Sequence, residues 1–419
     1  MSGPPLQIAI VGSGPAGAYA AELLAREAPG TSNGGARIDV IDRLPTPFGL
    51  VRAGVAADHQ NTKAIQRVLE RALTRPGIEF WGNVEIGREV SLSELRTLYD
   101  AVVIATGTAL DRPLSIPGAT LPGVIGSRAF AYWLNAHPDA PELGPLMKEA
   151  RHIVIIGHGN VAIDMARMLA KRGDELARSD LDPAIEAVLA AAPMASIDLV
   201  GRRGPGDAQF TPVELAELGT LAAAHPLVRP QDLDLDASPA NSAILEILKG
   251  FASLPPDSRP LPLRFHFNAP PLAIEGVRRV ARVRFAGLDR PADLVISCIG
   301  YVGHPLDDLA PIGGSFPNEE GRIAPGLYVV GWAKRGPSGT IATNRADSHQ
   351  VARRLLAEVT PAGREGGEGL ARCLAARGGR RIDWAAWRRI DAAETARATG
   401  GRPRHKFNRL EDLLAAAQG

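Results

Sequence analysis

The stretch IVIIGHGNVAID, Ile153 to Asp164, decides the fold. A β-branched run meets Gly157-x-Gly159-x-x-Ala162 and then a stretch of helical character. That is the strand, glycine turn and helix of a dinucleotide-binding βαβ unit. The chain has already used the pattern once, in IAIVGSGPAG, Ile8 to Gly17. Two such units predict an α/β protein with two Rossmann-like, three-layer nucleotide-binding domains.

In the first unit the strand is Gln7–Val11, the helix Ala18–Glu27, the loop Ser32–Gly35 and the second strand Arg37–Ile41, closed by Asp42. Gly12 permits the tight turn, Gly14 lets a pyrophosphate approach the backbone, and Gly17 lets the helix lie close on the strand. Asp42 stands where a carboxylate accepts from ribose hydroxyls. In the second unit the helix spans Ala162–Lys171, and Ala162 takes the third-glycine place. Its returning strand, Ser196–Val200, runs on as GRRGP. Gly201 occupies the place of the acid of an NAD site, and Arg202 and Arg203 follow. A carboxylate would repel a 2′-phosphate and guanidinium groups would hold it, so this unit reads as NADP-binding.

The bulk numbers agree with a globular chain. At roughly 100–200 residues per domain, 419 residues allow two to four domains. A net charge of +1 gives no field for nucleic acid or membrane. Cys298 and Cys373 are the only cysteines, which excludes a disulfide framework, a thiol metal site and a redox CxxC pair. No HExxH or Cys/His cluster calls for a metal, and no GxSxG offers a serine nucleophile. The first strand begins almost at the N-terminus and no long apolar span follows, so a cytoplasmic protein without membrane insertion is expected.

Further elements are a helix over Asn61–Thr74, a strand over Ala101–Ala105 and a proline-marked boundary at Arg112–Pro122. Gly173–Pro193 is an inserted helical segment, and the Pro-, Ser- and Asp-rich 236–262 reads as loop. Strands follow at Leu294–Ile299 and Leu327–Val330. The tail from Gly363 is Gly/Arg-rich, with helices over Trp384–Thr395 and Leu410–Ala417.

GSGPAG is similar to the flavoprotein variant of the glycine motif, and VVIATG, Val102–Gly107, to a second flavoprotein signature. DRLPTPFGLVRAGVAADHQNTK (42–63), FWGNVEIG (80–87), GHGNVAIDMARML (157–169), GRRGPGDAQFTPVEL (201–215) and GWAKRGPSGTIATNRADS (331–348) resemble the adrenodoxin reductase family in order and over nearly the whole chain. The resemblance implies two interleaved domains: FAD-binding residues 1–108 and 328–419, with NADP-binding residues 109–327 between. It places FAD at Ala16, Asp42, Leu50, Ile86, Trp332, Gly339, Thr340 and Ile341. It places NADP(H) at His158, Gly159, Asn160, Val161, Arg202, Arg203 and Glu214, with Gly339 near the nicotinamide. His59 and Glu214 are implied as groups that position the nicotinamide and manage protons.

A chain holding both cofactors converts the hydride of NADPH into single electrons. The resemblance implies a monomeric reductase serving a separate ferredoxin-like iron–sulfur protein, possible partner to a cytochrome P450 chain. The rival reading is a flavoprotein monooxygenase or diaphorase acting on a small molecule. Four positions depart from the family pattern. His158 replaces Gln and Ala57 replaces Pro. Val213 and Ala216 stand where basic residues dock the acidic iron–sulfur protein. The tail arginines Arg377, Arg380, Arg381, Arg388, Arg389, Arg402 and Arg404 are candidates for another basic face.

Overall fold

The structure, a computed structural model, describes residues 4–28, 35–233, 242–255 and 259–419. Its first sheet has six strands. In spatial order they are β16 (Arg322–Ala324), β17 (Leu327–Val329), β4 (Ala101–Ile104), β1 (Leu6–Val11), β2 (Ala36–Asp42) and β3 (Ile78–Gly82). All pairings are parallel except β16 with β17. A parallel sheet is covered on both faces, so its strands are continuously apolar. Alternation then sorts the residues. Ile8, Ile10, Ile38, Val40 and Val103 face the helices Pro15–Glu27, Gln66–Leu73, Ile341–Glu358 and Trp384–Ala396. Ala9, Val11, Ile41, Val102 and Ile104 face the helices Leu92–Leu98 and Gly367–Ala376.

The second sheet, also six-stranded, runs β6 (Val124–Gly126), β14 (Leu294–Ser297), β7 (His152–Ile156), β8 (Ser196–Val200), β10 (Leu261–His266) and β9 (Ala224–Leu227), all parallel. Ile153, Ile155, Ile197 and Leu199 face the Asn160–Ala170 helix. Val154, Ile156, Val200 and Val295 face an antiparallel three-stranded sheet of β11 (Pro271–Glu275), β12 (Arg282–Phe285) and β13 (Leu288–Pro291). The two crossings between the large sheets pair with each other. β5 (Leu110–Asp111) and β15 (Tyr301–Val302) form a short antiparallel ribbon.

Several segments differ from the sequence reading. The helix expected over Asn61–Thr74 is two helices, Gln60–Lys63 and Gln66–Leu73. The break follows Lys63, whose side chain turns inward. The segment read as loop over 236–262 contains the Ser242–Ala252 helix. Its Ile244, Leu245, Leu248 and Phe251 recur at i, i+1, i+4 and i+7, an apolar stripe that composition obscured. Residues 236–241 and 256–258 of that segment, and Ser32–Gly34 of the predicted loop, lie outside the described residues. The glycine-rich start of the tail holds the Gly367–Ala376 helix. The chain re-enters the first sheet at Arg322, a little before the expected return at 328.

A buried ionic knot ties distant segments. Lys63 Nζ donates to both oxygens of Asp180 at 2.7 and 2.9 Å and to Asn135 Oδ1 at 2.7 Å. Lys406 Nζ lies 2.8 Å from Asp180 Oδ2 and donates to Asn135 Oδ1 at 3.0 Å. Burial opposes ionisation of Asp180, but Lys406 and Lys63 outweigh it and hold the carboxyl at about 2. The folded value lies below the unfolded one of about 3.9, so this stabilisation is present above about pH 4 and fades as the pH falls toward 2. Asp180→Asn strands two buried ammonium groups and should lower the unfolding free energy by about 3–5 kcal/mol in urea melts at pH 7. A Lys63→Met, Lys406→Met, Asp180→Leu triple variant should recover most of that loss.

Candidate active site

Both glycine turns sit where strand order reverses, with β1 between β4 and β2 and β7 between β14 and β8. Gly12 has φ +114° and donates to Ile41 O at 2.7 Å, and a Cβ there would lie 2.5 Å from Ala105 O. A Cβ on Gly17 would collide with Gly12 O, which is how the helix comes so close. Gly14 is the N-cap of the Pro15–Glu27 helix, without a side-chain cap, and a Cβ on it would meet nothing nearer than Gly49 Cα at 4.0 Å. The helix amides at Ala16 and Gly17 thus face a cradle with room for a pyrophosphate.

Asp42 closes this turn. Its Oδ2 accepts from Ser13 N at 2.9 Å and Ser13 Oγ at 2.5 Å, and its Oδ1 from Leu44 N at 3.0 Å. Leu50 opens a short helix just after Gly49, whose own Cβ position lies 3.2 Å from Gly14 Cα. Ile86 is buried on the other face of the sheet, and Gly107, φ +68°, lies just beyond β4. The late residues return to this same cradle: a Cβ on Gly331 would lie 2.5 Å from Ala16 Cβ. Gly331 N donates to Asp347 Oδ2 at 2.7 Å, and Trp332 Nε1 to Ser338 O at 3.1 Å. Gly339, φ +80°, leads to Thr340, the N-cap of the helix that begins at Ile341.

In the second turn Gly157 has φ +136°, donates to Val200 O at 2.9 Å, and leaves no space for a Cβ against Cys298 O. Gly159 caps the Asn160–Ala170 helix without a side-chain bond, and a Cβ there would meet nothing within 4 Å. Asn160 Oδ1 accepts from Thr211 N at 2.7 Å, tying the turn to the segment that carries Glu214, while Val161 packs on the core. His158 is half-buried against a cluster of phenylalanines. Its ring lies 4.8 Å from Phe267 and 5.9 Å from Phe210, and burial pulls it down to about 4, leaving it neutral. A Cβ on Gly201 would overlap that imidazole. The glycine that replaces the expected acid is therefore also the space that His158 needs. Arg202 and Arg203 are exposed, and among the described residues neither has a carboxylate in ion-pair reach.

His59 and Glu214 come together beside the Asn160–Ala170 helix. His59 Nε2 lies 3.6 Å from Glu214 Oε2 and 3.4 Å from Glu217 Oε2, and its Nδ1 lies 3.9 Å from Asp164 Oδ1. Sequence reasoning missed the organiser, Arg167, whose side chain is 0% exposed. It grips Asp58 through Nε at 2.9 Å and Nη2 at 3.0 Å, and also bonds Asp164 at 2.9 Å, Glu217 at 2.7 Å and Glu214 at 3.2 Å. Its signal was present: Asp164 and Arg167 sit one helical turn apart in the quoted glycine block. Burial pushes the Asp164 carboxyl up to about 6, with Arg167 and His59 opposing. For Asp58 burial acts the same way, but Arg167 and Lys171 outweigh it and the carboxyl falls below its usual value.

The folded value of Asp164 lies above the unfolded one of about 3.9, so the protonated form is favoured and its contribution to stability declines as pH rises from about 4 to 6. Arg167→Leu leaves the facing carboxylates uncompensated. It should cost about 3–5 kcal/mol at pH 7 in urea unfolding and less at pH 5, where Asp164 takes up a proton.

Comparisons with known proteins follow this geometry. Residues 6–191 match the pyridine nucleotide-disulphide oxidoreductase family. The NADPH-ferredoxin reductase FprA of Mycobacterium tuberculosis is 38% identical over 99% of this chain and 100% of its own length. The human mitochondrial NADPH:adrenodoxin oxidoreductase is 38% identical over 97% of this chain and 91% of its own. The solved structure of Mycobacterium tuberculosis FprA in complex with NADPH superposes with a TM-score of 0.90 at 36% identity, covering 99% of this chain and 100% of that one. The chain is an oxidoreductase that belongs to the family of NADPH-ferredoxin and NADPH:adrenodoxin reductases.

Proposed function

We propose that this chain binds FAD and NADPH and passes electrons, one at a time, to a ferredoxin-type iron–sulfur protein. One observation carries the reading. Two uncapped glycine turns, each with space for a phosphate, lie on parallel sheets joined by a ribbon, and His59 from the first part of the chain meets Glu214 of the second. The first crevice, in residues 1–108 and 328–419, would hold FAD through the amides at Gly12, Gly14, Ala16 and Gly17. Asp42, Leu50, Ile86, Gly107, Trp332, Gly339, Thr340 and Ile341 would complete it. The second, in residues 109–327, would hold NADP(H) on the backbone of His158 to Val161, with Arg202 and Arg203 on the 2′-phosphate and Glu214 near the nicotinamide.

FAD held in the first crevice would supply the chemistry that turns the hydride of NADPH into single electrons. This chain's residues bind, orient and exclude water. Hydride transfer depends on alignment, and the Arg167 network holds His59 and Glu214 still enough to supply it. We propose that the protein works as a cytoplasmic monomer. Among the described residues no helix is long and apolar enough to cross a membrane.

The acceptor's docking face departs from the family pattern. Val213 is 73% exposed, so an apolar side chain stands where a basic one would meet an acidic partner. The tail arginines are engaged elsewhere: Arg377 pairs with Glu94, Arg381 with Glu79, Arg388 with Glu70, Arg402 with Glu186 and Arg404 with Asp391.

Steady-state reduction of cytochrome c through added ferredoxin, with NADPH against NADH, tests the function; absence of ferredoxin-dependent turnover would sink it. Charge-assisted hydrogen bonds contribute roughly 1.5–3 kcal/mol each. Arg202→Ala with Arg203→Ala should weaken NADPH by about 10²–10⁴ in Kd while NADH changes little, allowing for exposure. Equal weakening of NADH would remove the 2′-phosphate assignment.

A further inference from the structure

The C-terminal edges of the two large sheets meet at a pair of rings. Trp332 follows β17 directly and shares its turn with Gly331, which abuts Ala16 of the first glycine cradle. Tyr301 follows β14 through Cys298, whose carbonyl abuts Gly157 of the second. The Tyr301 and Trp332 rings stack, with centroids 6.3 Å apart and planes 20° from parallel. Each ring therefore belongs to a different crevice, and they touch where the contents of the two must meet.

The Tyr301 ring is also anchored from behind. Ser127 Oγ donates to Asp111 Oδ1 at 3.3 Å and lies 3.2 Å from the phenol oxygen, whose own O–H is free to donate to it. Asp111 in turn accepts from Arg128 N at 2.9 Å, and it is the residue opposite Tyr301 in the crossing ribbon. Ser127 is buried at the start of the Ser127–Leu134 helix. Burial raises the Tyr301 phenol, so it stays protonated and able to hydrogen-bond across the working pH range. An aromatic that only filled space would need none of these partners. Here a hydroxyl chain fixes the ring against the first crevice from the frame of the second.

We propose that Tyr301 is a positioning residue for hydride delivery. Stacked on Trp332 and tied through Ser127 to Asp111, its ring sets how a nicotinamide presented from the second crevice is aligned with the group held in the first. The proposal rests on the two-cofactor reading above. It assigns Tyr301 alignment rather than affinity, because the second glycine turn and the arginine pair follow other strands, β7 and β8.

The test uses the full-length, FAD-loaded chain and its Tyr301→Leu, Tyr301→Phe and Ser127→Ala variants. Two quantities are read: NADP⁺ titration, giving Kd and the visible difference spectrum of the flavin, and the anaerobic flavin-reduction rate at saturating NADPH. Tyr301→Leu should slow the limiting rate by about tenfold or more and diminish the difference spectrum, with Kd within about threefold of the parent. Tyr301→Phe keeps the stack but loses the anchor, so it should match Ser127→Ala, and both should fall between Tyr301→Leu and the parent. Parent-like rate and spectrum in Tyr301→Leu would overturn the proposal. So would a loss that appears wholly in Kd, or a phenylalanine that rescues nothing. Should Tyr301→Leu fail to fold, Ser127→Ala decides, and a parent-like spectrum and rate there refutes the anchoring. A parent protein that NADPH does not reduce at all overturns the functional reading itself, an outcome distinct from unaltered variants of a competent parent.

Discussion

The meeting of His59 and Glu214 depends on one buried cation. Arg167 has no contact with solvent, and a guanidinium in that position is tolerable only when carboxylates meet its planar fork. Asp58 supplies a two-pronged contact from the first part of the chain, and Glu214 and Glu217 reach it from the Pro212–Glu217 helix. His59 is adjacent to Asp58, so the same grip that neutralises Arg167 delivers the imidazole to Glu214. A lysine could satisfy the charge but not the geometry, because it lacks the fixed fork that reaches several acids at once. The proton-bearing groups of the site are thus placed by a residue that itself touches no ligand-binding turn.

A second set of buried charges treats the end of the chain in the same way. Lys406 reaches Asp180 and Asn135, while Glu394 takes Arg52 at 2.6 Å. Arg381 lies 3.7 Å over the Trp81 ring and bonds Phe80 O. The basic composition of the tail suggested a docking face for an acidic partner. In the fold most of that charge is neutralised by acids, chiefly of the first part of the chain. Charge read from composition carries no information about which acids lie within reach, and those paired with Arg377, Arg381, Arg388 and Arg402 are more than 200 residues away in sequence.

The sequence was most informative where local geometry leaves little choice. The glycine turns and their flanking strands and helices were legible, because each follows from steric needs within a few residues. The Ser242–Ala252 helix was hidden by the polar residues around it, although its apolar stripe was readable. For Arg167 only the pairing with Asp164 on its own helix was legible, and the contacts of Ser127 and Tyr301 were not, since those partners come from separate elements. His158 stood apart as an unexplained departure, and its role lies in the phenylalanines around it and in the room left by Gly201. The interleaving of the two units came from resemblance, and no period or composition shift could have supplied it.

The crossing ribbon has a consequence for synthesis. β4 ends at Ile104, and the strand that pairs with its outer edge begins at Leu327. Ribosomal elongation at roughly 5–20 residues per second leaves that edge open for on the order of 10–45 s. During this time the whole of the second sheet emerges and can close, since its strands all lie between Val124 and Ser297. The later-encoded unit is therefore finished before the earlier one. The first-made strands meanwhile present an apolar, unpaired border of the kind that chaperones shield.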